Sequence, residues 1–157
     1  MSFVTARSVC LALPLLLSVS LLADDTKPNF TGTWELDAAK SQTLRSGESI
    51  QLAIQDASGK IQVKKTTHSP DGKAVTSTFD CTVDGTNCTY EDGGKKAQVS
   101  VWYNGPALVV LKTDGPDDDK VSQSELVLSP DQGTLEIDVT HIAPESKAET
   151  MVFTKKK

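Results

Sequence analysis

The stretch Asn29-Phe-Thr-Gly-Thr-Trp-Glu-Leu-Asp-Ala-Ala-Lys-Ser41 decides how the chain is read, because an export signal ends before it and a folded domain begins in it. Trp34 and Leu36 stand two apart, so they load one face of a strand with apolar surface. Gly32 lets another segment come close to the backbone. Upstream, Arg7 precedes a run from Val9 to Ala23 that is apolar apart from Pro14, Ser18 and Ser20. That pattern reads as a signal peptide over 1–23, with cleavage after Ala23 or, as the alternative, after Ser20. A spanning helix would want about 20 uninterrupted apolar residues, and an uncleaved anchor is the other reading of the leader. Cys10 lies ahead of most of the apolar run, where a lipid-bearing cysteine would have to follow it. The expectation is therefore a single domain over 24–157, secreted or periplasmic, without stable membrane insertion once the leader is removed.

Charge and cysteine content narrow the function classes. The 157 residues carry 16 Lys or Arg against 21 Asp or Glu, a formal charge of −5, and loss of Arg7 with the leader makes the remainder more acidic still. Nucleic acid is excluded as a partner, since binding it requires a basic footprint. Lys64-Lys65, Lys95-Lys96 and the Lys155–Lys157 tail read as solvated edges or terminus. Of three cysteines, Cys81 and Cys88 remain after the leader, and an oxidising compartment lets them pair. Two cysteines with no neighbouring histidine supply too few ligands for zinc, so no metal is expected.

Downstream of Trp34 the chain alternates. Asp37 to Glu48 reads as a loop with a short helical turn over Ala38-Ala39-Lys40, and Ile50, Leu52 and Ile54 then share one face of a half-buried strand. After Ser58-Gly59, Ile61, Val63, Lys65 and Thr67 share a side, and Ser69-Pro70-Asp71-Gly72 is a turn. Val75, Ser77, Phe79, Cys81 and Val83 line the next strand, and Asp84-Gly85 begins a hairpin. A two-residue loop there sets Cys81 opposite Cys88, within reach of a disulfide, whereas a loop that uses Thr86 shifts the register. Ala97, Val99, Val101 and Tyr103 face one way and Gln98, Ser100 and Trp102 the other. Ala107 to Leu111 is apolar throughout, which suits a strand covered on both faces. The strand with Leu126 and Leu128, that with Leu135, Ile137, Val139 and His141, and a last one with Met151 and Phe153 complete the chain.

This makes ten strand candidates, with short links, no helix of ten residues and no link long enough for a crossover. The fold class is all-β: an antiparallel up-and-down meander of 8–10 strands closed into a barrel, which removes exposed edges. A β-sandwich is the alternative, because strand spacing alone does not distinguish closure from stacking.

Gly32-Thr33-Trp34 on the first strand of such a meander resembles the Gly-x-Trp opening of lipocalins and the wider calycin group. The longer string from Phe30 to Ser41 is similar to the start of small exported bacterial proteins called lipocalin-like. The resemblance implies a barrel enclosing a site for a small apolar molecule, with the tryptophan closing one end. Lipocalins pack an arginine of the last strand over that tryptophan. With no arginine after Arg45, a lysine such as Lys155 takes the role here. No Thr-Asp-Tyr follows the sixth strand, and Met151-Val152-Phe153-Thr154 stands where intracellular fatty-acid carriers have an Arg-x-Tyr pair for a carboxylate.

No catalytic set is legible, so the chain is not read as an enzyme, and no cofactor is implied. His141 either reaches a barrel mouth with its ring over a cavity or ends its strand bonded to water or a carbonyl. His68 reads as a loop residue, and no nucleophile, base and orienting acid come together. Asp114–Asp119 lacks the order of a calcium loop. Asn29-Phe-Thr31 and Asn87-Cys-Thr89 fit glycosylation sequons, which act only in a cell with that machinery. Trp34, Phe79, Tyr90, Trp102, Tyr103 and His141 are the candidate ligand-binding residues, lining a cavity if one exists. Small inward residues either leave a hollow or fill a narrow barrel. The primary expectation is a binding module for a small hydrophobic ligand. The alternative is an envelope or extracellular protein-interaction or inhibitor scaffold acting through its acidic Asp114–Asp119 loop and its Cys81–Cys88 hairpin, with the protein partner unknown.

Overall fold

Period-two alternation carries through as ten antiparallel strands: β1 (Gly32–Leu36), β2 (Ser49–Ala57), β3 (Lys60–His68), β4 (Ala74–Thr82), β5 (Asp84–Asp92), β6 (Lys95–Asn104), β7 (Ala107–Asp114), β8 (Val121–Leu128), β9 (Thr134–Ala143) and β10 (Glu149–Lys155). This computed structural model describes residues 27–42, 47–114 and 120–157. The leader over 1–23 with its Cys10, Arg45, and the acidic Asp114–Asp119 cluster, of which only the Asp114 backbone is described, lie outside the described residues.

Each strand pairs with its neighbour in sequence, and β1 pairs with both β2 and β10, so the sheet closes into a barrel. Trp34 sits at the seam, opposite Leu52 on β2 and Lys155 on β10. Closure leaves no edge strand among the described residues and disposes of the sandwich alternative. The β2–β3, β4–β5, β6–β7 and β8–β9 hairpins lie at one end, here the lower, and the β3–β4, β5–β6, β7–β8 and β9–β10 links at the upper end.

The expected helical turn is a hydrogen-bonded turn. The Asp37 carbonyl accepts from the Lys40 and Ser41 N–H groups at 3.2 and 3.1 Å, and the Asp37 carboxylate caps the Ala39 N–H at 3.2 Å. The Ser41 hydroxyl oxygen then accepts the Val152 N–H of β10 at 2.9 Å, which holds this link against the outside of the barrel.

Packing is densest below. Trp34, Phe30, Phe153, Ile61, Leu108 and Leu135 are all fully buried there. Ala107, Leu108 and Val109 are buried on both faces, as the apolar run from Ala107 predicts, whereas Val110 and Leu111 higher on β7 are only half-buried. Phe30 precedes β1, so no strand pattern marks it. It seals the floor because the chain turns beneath the barrel before entering the wall.

Cys81 and Cys88 form a disulfide with Cα atoms 5.6 Å apart. The β4–β5 ladder comprises Ser77↔Asp92, Thr78↔Glu91 and Phe79↔Tyr90, and its continuation sets the two cysteines face to face, in the register of a two-residue turn at Asp84-Gly85. The bridge thus holds these strands together just below the point where their hydrogen bonding stops. The loop it closes is short, with a sequence separation of 7, so its chain-entropy contribution falls below the about 3 kcal/mol of a 15-residue loop. Replacing both cysteines with alanine should lower the unfolding free energy by about 2 kcal/mol without changing the far-ultraviolet circular dichroism. Loss of the barrel spectrum would show the bridge to be essential to the fold.

Candidate functional site

Above the packed floor the barrel is hollow. The cavity holds about 450 Å³ and has a mixed lining whose apolar side chains include Leu52, Val63, Val99, Val110, Leu126 and Ile137. A closed ten-strand wall is wide enough that valines and serines of opposite walls leave space between them, whereas below, Trp34, Phe153 and Phe30 fill the same cross-section. Towards the upper opening the lining turns polar: Glu48, Thr67, Asp92, Ser122, His141 and Glu149.

Three of the sequence-predicted binding residues line this cavity and three do not. Phe79 and Tyr90 face each other across β4 and β5 with ring centroids 6.2 Å apart, and both border the cavity with His141. The Lys112 ammonium lies 4.8 Å from the Tyr90 ring centroid, a cation–π distance. His141 stands at the mouth, its Nε2 3.6 Å from Glu149 Oε1.

Trp34 is part of the floor. Its indole N–H donates to the Phe30 carbonyl at 3.1 Å, and the Lys155 ammonium lies 5.1 Å from the centroid of its ring. Lys155 therefore takes the position the resemblance assigns to an arginine. A Cβ on Gly32 would come 2.7 Å from Lys155 Cε, so this glycine leaves room for the lysine to reach the indole. Tyr103 belongs to the floor too: its ring packs on Phe30 at 6.3 Å between centroids, with the Lys27 ammonium 3.8 Å from its own centroid. Trp102 is on the outer surface, since its neighbours Val101 and Tyr103 point inward, and it stands opposite Val109 of β7. An odd-even count from Val99 already excludes Trp102 from the interior.

The Tyr103 hydroxyl donates to Asp56 Oδ2 at 2.6 Å. Burial and the adjacent carboxylate both disfavour a phenolate and hold its pKa well above the ordinary value of 10.0. A folded-state pKa raised above the unfolded one contributes stability that is complete below the unfolded pKa and is lost as pH rises through it towards the folded value. An absorbance titration of the phenolate band should therefore show Tyr103 ionising late, and Tyr103→Phe should remove that late step. A Tyr103 that ionises at the ordinary value would contradict the hydrogen bond to Asp56.

Among the polar lining side chains that sequence reasoning did not single out are Lys65, Ser77 and Lys112. Parity carried the signal for two of them, since Lys65 follows Ile61 and Val63, and Ser77 precedes Phe79, on inward faces. Lys112 comes just after the apolar run that was read as the strand. Among the described residues, no group of three or more His, Cys, Asp or Glu could hold a metal ion, and no helix is long and apolar enough to cross a membrane.

No protein-family profile matches the sequence, and no curated protein matches it. Solved structures do resemble it. Fatty-acid-binding protein 1 of Echinococcus granulosus superposes with a TM-score of 0.60 at 14% identity, over 82% of this chain and 98% of that one. Lipid binding protein 8 of Caenorhabditis elegans gives 0.62 at 13% identity, over 81% and 95%. Secretory abundant heat soluble protein 4 of Ramazzottius varieornatus gives 0.61 at 12% identity, over 82% and 96%. At these identities the likeness is one of fold: the chain shares with these proteins a closed, antiparallel ten-stranded β-barrel.

Proposed function

We propose that this chain is a non-enzymatic binding module that carries one small hydrophobic molecule inside its barrel. The observation that carries the reading is the cavity of about 450 Å³, closed below by Trp34 and its neighbours, with apolar residues deep in its wall and polar ones at its upper end. Such a space, with an apolar lower wall and a polar upper one, suits a single small ligand. The names of two structural neighbours, a fatty-acid-binding protein and a lipid binding protein, support the same class of ligand. The domain over 24–157 is the exported form, and the Cys81–Cys88 bridge supports an oxidising compartment, secreted or periplasmic.

Titration with the neutral fluorophore N-phenyl-1-naphthylamine tests the reading. Saturable enhancement at one site per chain is the expected result. Absence of saturable binding by this probe and by decanol alike would overturn it.

A further inference from the structure

Resting on that reading, we propose that the ligand is an amphiphile with one acidic group, and that Lys65 of β3 and Ser77 of β4 form the site for that group. Both side chains border the cavity, and the two residues are direct cross-strand partners. Partners on one face of an antiparallel pair have Cβ atoms about 5 Å apart, close enough for one anion to meet both.

Two observations point to a ligand. Ser77 is only 3% exposed yet faces the cavity, and among the described residues its hydroxyl has no hydrogen-bond partner. No buried side-chain polar atom among the described residues is left unsatisfied, so this hydroxyl opens into the cavity, where an acceptor on a ligand can reach it. Lys65 is half-buried on the same inward face as Ile61 and Val63, while Lys60 and Lys64 on this strand point to solvent. Among the described residues it has no ion-pair partner. An ammonium on this inward face is placed to meet an anion inside the cavity, and Leu52 is its cross-strand partner on the other side.

The surroundings set the valence of the acid. Glu48, Asp92 and Glu149 are carboxylates of the same lining and Lys112 is its second cation, so the formal charge there is negative and an acid of higher valence is repelled more strongly. One negative charge matched to Lys65, with a donor from Ser77, satisfies both groups at once. The apolar tail then lies against Val63, Phe79 and the opposite wall.

The test displaces N-phenyl-1-naphthylamine with decanoate and with decanol, which share a tail and differ in the acid. The wild-type protein should bind decanoate about tenfold more tightly than decanol, the order expected of a charge-assisted hydrogen bond. Lys65→Met should abolish that preference and leave decanol affinity within about twofold, Ser77→Ala should reduce the preference by about threefold, and Lys64→Met, which points outward, should change neither. If decanol displaces the probe as well as decanoate does, or if Lys65→Met and Ser77→Ala both keep the preference, the acid site is wrong while the carrier reading stands. If no probe or competitor binds, both fail together. Should Lys65→Met not fold, Ser77→Ala decides.

Discussion

Replacing Trp34 with alanine should lower the unfolding free energy by about 3–5 kcal/mol, the range for truncating a large aromatic side chain in a packed core. Trp34 is 0% exposed and lies at the seam where β1 joins β2 and β10. Truncation leaves a hole beneath the existing cavity and takes the indole N–H from the Phe30 carbonyl. It also takes the ring from beneath the Lys155 ammonium. Against a total stability of about 5–15 kcal/mol for a domain of this kind, the loss is a large fraction. Urea unfolding followed by circular dichroism reads it. Trp34→Phe separates the terms: it keeps most of the apolar contact and forfeits the hydrogen bond, so about 1 kcal/mol of additional loss should trace to the N–H. An alanine variant as stable as the parent would mean that Trp34 does not hold the barrel floor.

The second large effect concerns the cavity. Val110→Trp should reduce binding of N-phenyl-1-naphthylamine by more than about tenfold, equivalent to 1.4 kcal/mol or more, while the melting temperature stays near that of the parent. Val110 is half-buried, borders the cavity and pairs with Val101 and Ser124, so a larger side chain there grows into open space rather than into a packed neighbour. Overpacking a filled core by the same change would cost about 1–3 kcal/mol of stability. The two readouts are therefore opposed for a hollow and a filled barrel. A folded Val110→Trp protein that binds the fluorophore as tightly as the parent would place the binding site elsewhere.

Much of the architecture was legible because it depends on local alternation. Ile50, Leu52 and Ile54 share a face by sequence parity alone, and Ser69-Pro70-Asp71-Gly72 announces its turn through residue chemistry. Parity likewise placed Cys81 and Cys88 within reach of each other. The candidate site was legible only in part. Trp34, Phe79, Tyr90 and Tyr103 all carry inward parity, yet two of them pack the floor and two border the hollow. Position along the barrel axis separates them, and that follows from how far each strand is staggered against its neighbours. Trp102 was misplaced by residue type, since a large aromatic suggested an interior position that its own parity denies.

Phe30 and Ser77 show the same division from opposite sides. Phe30 belongs to no alternating run, and its burial comes from the chain passing under the barrel to meet Tyr103, which is distant in sequence. Ser77 lies on a legible inward face, but its lack of a partner and its placement beside Lys65 depend on which residues a paired strand brings opposite it.

The sequence by itself determined the strands, their inward and outward faces and the antiparallel order, because each is set by neighbours a few residues apart. The tertiary structure decided that β1 closes onto β10, that the floor is filled while the upper barrel stays open, and that Lys65 and Ser77 face one space. Those features arise from the stagger and tilt of ten strands around a common axis, a geometry that appears only once the last strand meets the first.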